Sequence, residues 1–139
     1  MKKSCLFLSA LIFLMVMGMK SESFAQEDPV MYFCERYGDN GEVGIASRFS
    51  TGYLTVVVKC DYSLRLRDVH IQFDQWNERT HSYDFYKKFD YTLEPDMKFV
   101  FFSKNDDSDM SFDEPGFYRV YLLDDDDQTI ASAVIEITN

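Results

Sequence analysis

After residue 25 the apolar side chains recur at every second position in segment after segment, and no stretch sustains the 3.6-residue recurrence of a helix. A chain patterned this way buries one face of each strand and solvates the other, so an all-β domain is expected. Residues 53–60 show the rule: Leu54, Val56, Val58 and Cys60 share one face, while Thr55 and Lys59 share the other. Residues 68–76 repeat it, with Val69, Ile71 and Phe73 inward and Asp68, His70, Gln72 and Asp74 outward. Trp76 then has the outward parity unless a bulge resets the register.

Turn residues punctuate the pattern. Residues 30–37 form a first strand, and Asn40-Gly41 readily takes the positive φ angles of a tight hairpin, so residues 43–49 pair back. Residues 77–80 are a loop before an aromatic strand over 83–93, in which Tyr83, Phe85, Phe89 and Tyr91 share a face. Pro95 ends that strand, because proline cannot donate to a ladder. Residues 98–103 are apolar throughout, as a central strand would be. Residues 117–123 and 129–138 form a last hairpin across the acidic turn at 124–128. No repeat, linker or second domain interrupts the series, so residues 26–139 are one antiparallel β-sandwich domain of seven to eight strands.

The first 25 residues read as an export signal. Lys2 and Lys3 precede an apolar run over 5–17, and Ser23-Phe24-Ala25 places small residues where a signal peptidase cuts, so cleavage is expected after Ala25. An apolar run of about 13 to 15 residues is short of the roughly 20 that span a bilayer, which excludes stable membrane insertion after cleavage. Cys5 lies inside the apolar run, too early for a lipid-attachment cysteine. The domain is therefore expected outside the cytoplasm, in a periplasm or secreted. Two cysteines then remain, Cys34 and Cys60, and an exported chain with two cysteines is expected to close one disulfide. The loop between them would add roughly 3.5 kcal/mol on the chain-entropy model. Free thiols are the other reading; a catalytic thiolate lacks both a C-x-x-C partner and a neighbouring histidine.

Residues 114–120, Glu-Pro-Gly-Phe-Tyr-Arg-Val, resemble the tyrosine corner at the start of the sixth strand of immunoglobulin-like domains. The resemblance implies an immunoglobulin-like sandwich, with Gly116 shaping the corner and the Tyr118 hydroxyl bonded back to the nearby backbone. Val120 stands where those domains carry their second cysteine, so the resemblance leaves Cys60 to pair with Cys34. It also implies that Phe73 takes the place of the usual core tryptophan. Domains of this kind serve many unrelated functions.

The charge balance excludes one class of partner. Lys and Arg number 14 against 24 Asp and Glu, for a net charge of −10, whereas nucleic-acid binding needs a basic face. Two acidic loops offer the hard oxygen ligands that calcium takes: Asp106, Asp107 and Asp109 in one, Asp124 and Asp126 in the other. Neither has the spaced pattern of a calcium loop, and the plainer reading is a pair of solvated turns. His70 stands beside Asp68 and Asp74 on one face, yet no G-x-S-x-G element supplies a nucleophile, so no enzyme is expected. Aromatic residues are more telling, at 13 Phe, 9 Tyr and 1 Trp, of which only Phe7, Phe13 and Phe24 fall in the export signal. A small sandwich cannot bury all the others, and Trp76, Tyr86 and Tyr121 have outward parity, where cross-strand pairing and recognition are the competing roles. A non-catalytic module that recognises a protein partner through an acidic, aromatic surface is the reading these residues favour. The alternatives are a glycan-binding module with a structural calcium ion and a small inhibitor of an exported enzyme that inserts the loop at 104–113 into a cleft.

Overall fold

A computed structural model describes residues 28–103 and 109–139; the expected export signal, and Asp106 and Asp107, lie outside the described residues. The described residues are all-β, in several largely antiparallel sheets. Among the described residues there is no α-helix, and thus none long and apolar enough to cross a membrane.

β1 (Val30–Cys34) leads into a small hairpin, β2 (Arg36–Gly38) and β3 (Gly41–Val43). Gly38 faces Gly41 across the two-residue turn, and Gly41 takes φ +103°, which only glycine adopts without strain. β4 (Arg48–Ser50) and β5 (Gly52–Tyr53) are short, β6 (Thr55–Lys59) and β7 (Asp68–Asn77) follow, and β8 (Ser82–Thr92) returns beside β7. β9 (Phe99–Phe102), β10 (Ser111–Phe112), β11 (Gly116–Leu123) and β12 (Thr129–Thr138) complete the chain. The order in one sheet is β1-β6-β9 and in the larger one β4-β12-β11-β7-β8, with β4 running parallel to β12. Alternate residues of both sheets meet in one core, where Phe33, Val56, Val58 and Phe102 face Ile71, Phe73, Tyr118, Val120 and Ile135.

Several expectations from the sequence change here: twelve strands form among the described residues instead of seven to eight, and residues 43–49 divide between the end of β3 and β4, which runs beside β12, instead of pairing back as one strand. β9 is not central: it closes its sheet among the described residues. It is apolar throughout because both of its faces meet apolar groups: Val100 and Phe102 enter the core, while Phe99 and the partly exposed Phe101 meet Tyr37 of the β2–β3 hairpin on the other side.

The aromatic strand is not one continuous face either. Phe73 pairs with Lys87 and Asp74 with Phe85, so Tyr86 is the extra residue of a β-bulge. Parity flips there: Tyr83 and Phe85 lie on the outer face opposite Trp76 and Asp74, and Phe89 and Tyr91 pack on the core.

The disulfide is absent, and both thiols are free. Cys34 pairs with Thr55, whereas Cys60 follows Lys59, which pairs with Val30. Five residues of strand separate the two positions, roughly 16 Å at the usual rise. A disulfide tolerates Cα atoms only about 7 Å apart. The thiols also belong to opposite faces: Cys60 packs against the core cluster, and Cys34 is buried outside it.

At the start of β11 the Tyr118 hydroxyl donates to the Glu114 carbonyl at 2.7 Å and accepts from Gln75 Nε2 at 3.1 Å. Its ring is fully buried, edge-on to Phe112 and beside Tyr86, and burial pushes its pKa up to about 12. Gly116 just before it takes φ +150°. Tyr118→Phe is expected to destabilise the fold by about 1 kcal/mol in chemical denaturation, the net worth of one buried hydrogen bond. Peptide mapping after brief alkylation should find Cys60 modified in the native protein and Cys34 only once the chain is unfolded.

Candidate functional site

Two surfaces gather chemistry-bearing residues, one on the outside of each large sheet. On the five-stranded sheet the outward positions of β7, β8, β11 and β12 lie in adjacent rows. Trp76 pairs with Tyr83, their rings edge-to-face at 5.2 Å, and His81 closes on the indole at 6.5 Å. The next row sets Phe85 beside Asp74, Asp74 beside Arg119 and Arg119 beside Val134. A further row sets Lys88 beside Gln72 and Gln72 beside Tyr121. The Arg119 guanidinium lies over the Tyr121 ring at 5.5 Å, a cation–π contact, and partial burial raises the Tyr121 hydroxyl pKa.

Phe85 is 65% exposed, Phe117 47% and Val134 46%, so this face presents large apolar groups to solvent around half-buried Trp76, Tyr83 and Tyr121. Cross-strand pairing therefore accounts for Trp76 and leaves Phe85 and Phe117 unexplained. At the margins polar groups satisfy each other: Arg48 Nε bonds Glu136 at 2.6 Å, the His70 ring bonds Asp90 at 2.6 Å, and Lys88 bonds Asp127 at 2.5 Å.

Of the three aromatic candidates read from the sequence, Trp76 and Tyr121 stand on this face and Tyr86 does not. The bulge turns Tyr86 inward against Tyr118, with its hydroxyl near Asp113 and the Lys87 ammonium 5.0 Å over its ring. Phe85 takes the outward place. Lys87, sent inward by the same bulge, donates to the Ser111 carbonyl at 2.9 Å and pairs with Asp113 at 3.3 Å.

Of the acidic candidates, Asp109, Asp124 and Asp126 lie among the described residues. Asp124 accepts from the backbone N–H of Asp126 at 3.0 Å and of Gln128 at 2.8 Å, closing the β11–β12 turn. Asp126 is exposed, and Asp109 lies 3.9 Å from Lys87. Lys87 and Lys88 are consecutive on β8 and point to opposite faces, so Asp109 and the 124–128 turn meet the strand from opposite sides. Among the described residues no group of three or more His, Cys, Asp or Glu side chains is placed to hold a metal ion.

The second surface was not legible in the sequence. On the outside of the β1-β6-β9 sheet, Tyr32, Val57 and Phe101 form one row and Val30, Lys59 and Phe99 the next. The β2–β3 hairpin folds over them. Tyr37 stacks on Phe101 at 4.4 Å and leans on Phe99 at 5.4 Å, while the Glu42 carboxylate accepts from the Tyr32 hydroxyl and pairs with Lys59 at 2.8 Å. The Lys59 ammonium also lies 5.1 Å from the Phe99 ring centroid and 5.4 Å from that of Tyr32. Hydrogen bonds from Lys59 and then Tyr32 hold the Glu42 carboxyl down at about 2, and the bond to Glu42, followed by one with Tyr32, raises the lysine. Beside this clamp opens a cleft of about 400 Å³. Outward Phe99 and Phe101, alternating with inward Val100 and Phe102, are the signal that could have marked it.

No protein-family profile matches the chain, and no curated protein sequence matches it. Among solved structures, the chain is similar to superoxide reductase (neelaredoxin) from Ignicoccus hospitalis, at 12% identity and a TM-score of 0.42 over 81% of this chain and 80% of that one.

The clamp gives a pH test. The Glu42 carboxyl protonates at about 2 in the fold and near the ordinary 4.5 when unfolded, so its stabilisation is complete above the unfolded value and is lost as pH falls through about 2. The melting temperature of Glu42→Gln should accordingly fall less steeply than that of the parent protein on acidification across this window. Equal slopes would mean that the ion pair does not hold the hairpin down.

Proposed function

We propose that the protein is an extracytoplasmic, non-catalytic binding module that recognises another protein through the outer face of its five-stranded sheet. The observation that carries this reading is the exposure of Phe85, Phe117 and Val134 around Trp76, Tyr121 and Arg119. Isolated exposed apolar residues are common, but a contiguous patch of aromatic residues with a central arginine has the composition of an interface core. The net charge of −10 favours a partner of opposite sign, steering it toward the patch before contact. Support for export comes from the sequence of residues 1–25.

We read the fold as an immunoglobulin-like sandwich. In its favour, β6 neighbours β9 in one sheet and β7, β11 and β12 are adjacent in the other, matching the B–E and C–F–G neighbours of such domains. The hydrogen bond from Tyr118 to Glu114, at the start of the strand corresponding to F, is the expected corner contact. Phe73 fills the core position opposite Val120.

The test is capture from the source organism's extracytoplasmic fraction on the immobilised protein, with a Phe85→Ser/Phe117→Ser variant and a Phe99→Ala variant in parallel. One protein should be retained by the parent and by Phe99→Ala, and its affinity for the double variant should fall about 30-fold or more, the effect of losing hot-spot side chains. Amide exchange in the complex should slow in β7, β8 and β11. Undiminished binding by the double variant would sink the proposal.

A further inference from the structure

We infer that the cleft beside the β2–β3 hairpin is a binding site for a neutral, hydroxyl-rich ring, the chemistry of an uncharged sugar unit. This site is separate from the outer face of the five-stranded sheet and does not depend on that face binding a protein. Its apolar wall is Phe99 and Tyr37, and Asp28, Lys59, Asp61 and Lys98 line the rest. At about 400 Å³ it falls within the range of small-ligand sites.

The lining selects the ligand class by elimination. An anion entering the cleft meets Asp28, Asp61 and Glu42; a cation meets Lys59 and Lys98. Among the described residues Asp28, Asp61 and Lys98 have no ion pair, so a wholly apolar ligand would strip water from unpaired charges without replacing it, which is costly. A sugar ring escapes all three penalties. Its C–H face can lie on an aromatic wall, and each hydroxyl both donates to a carboxylate and accepts from an ammonium.

The wall is also fixed in place before any ligand arrives. Phe99 is held by the Tyr37 ring on one side and the Lys59 ammonium on another, and Lys59 is itself pinned by Glu42. A preset wall spares a weak ligand the entropy of ordering it.

The experiment titrates the full-length protein with maltose, cellobiose and lactose, and separately with galacturonic acid and glucosamine as charged probes. Binding is followed by backbone amide NMR shifts. At least one neutral disaccharide should shift the Tyr37, Lys59 and Phe99 amides, with a dissociation constant on the order of 1 mM, reasonable for a small open site. Phe99→Ala should abolish these shifts, and Phe85→Ser/Phe117→Ser should leave them unchanged. Should Phe99→Ala perturb the fold, Asp61→Asn offers a milder change at the rim and should weaken the same binding. The inference is overturned if none of the three disaccharides shifts those amides, if a charged probe binds as well as the neutral ones, or if the shifts fall on β7, β8 and β11 instead.

Discussion

No disulfide joins the two large sheets among the described residues, because the two cysteines sit at opposite ends and on opposite faces of one strand pair. Their alignment therefore rests chiefly on interdigitated side chains. The centre of that packing is aromatic: Phe73 lies against Phe112 at 4.9 Å, Phe112 meets Tyr118 edge-on at 4.9 Å, and Tyr86 leans on Tyr118 from β8. Tyr118 is the member with a polar end, and its bonds to Glu114 and Gln75 fix where the aromatic chain stops. A ring in this position does locally what a cross-sheet bridge would do by covalent means, since it sets both the depth and the register of β11 against its neighbours.

The strands were legible because alternation is a local signal. β6, β7, β11 and β12 lie close to where period two places them, and the Asn40-Gly41 turn forms where its residues allow positive φ. Less legible was anything that one residue can shift. A single extra residue at Tyr86 exchanged the roles of Tyr86 and Phe85, and no composition or parity rule marks which residue of an aromatic run will be the bulge. The disulfide expectation failed for a related reason: cysteine number and compartment say nothing about strand register, and register alone decides whether two thiols can meet.

The candidate sites divide along the same line. Trp76 and Tyr121 were readable as outward because β7 and β11 keep their alternation throughout. The cleft was hidden because it is made by a hairpin folding back over a sheet face, bringing Glu42 to Lys59 and Tyr37 to Phe101 across long sequence separations. Several of the acidic residues conspicuous in the sequence have local partners among the described residues. Asp124 satisfies backbone donors in its own turn, and Asp113 and Asp127 each neutralise one of the two consecutive lysines of β8.

Those lysines and the bulge beside them bear on self-association. β8 is eleven residues long and ends its sheet among the described residues, the geometry that invites another chain to add a strand. The bulge interrupts the even spacing of backbone groups that a docking strand would need, and Lys87 and Lys88, each paired within the protein, tie the strand to neighbouring segments on both faces. A feature that reorganises the aromatic core from within thus also makes the longer described edge of the sheet a poorer template for strand addition, so one insertion bears on both the packing of the protein and its colloidal behaviour.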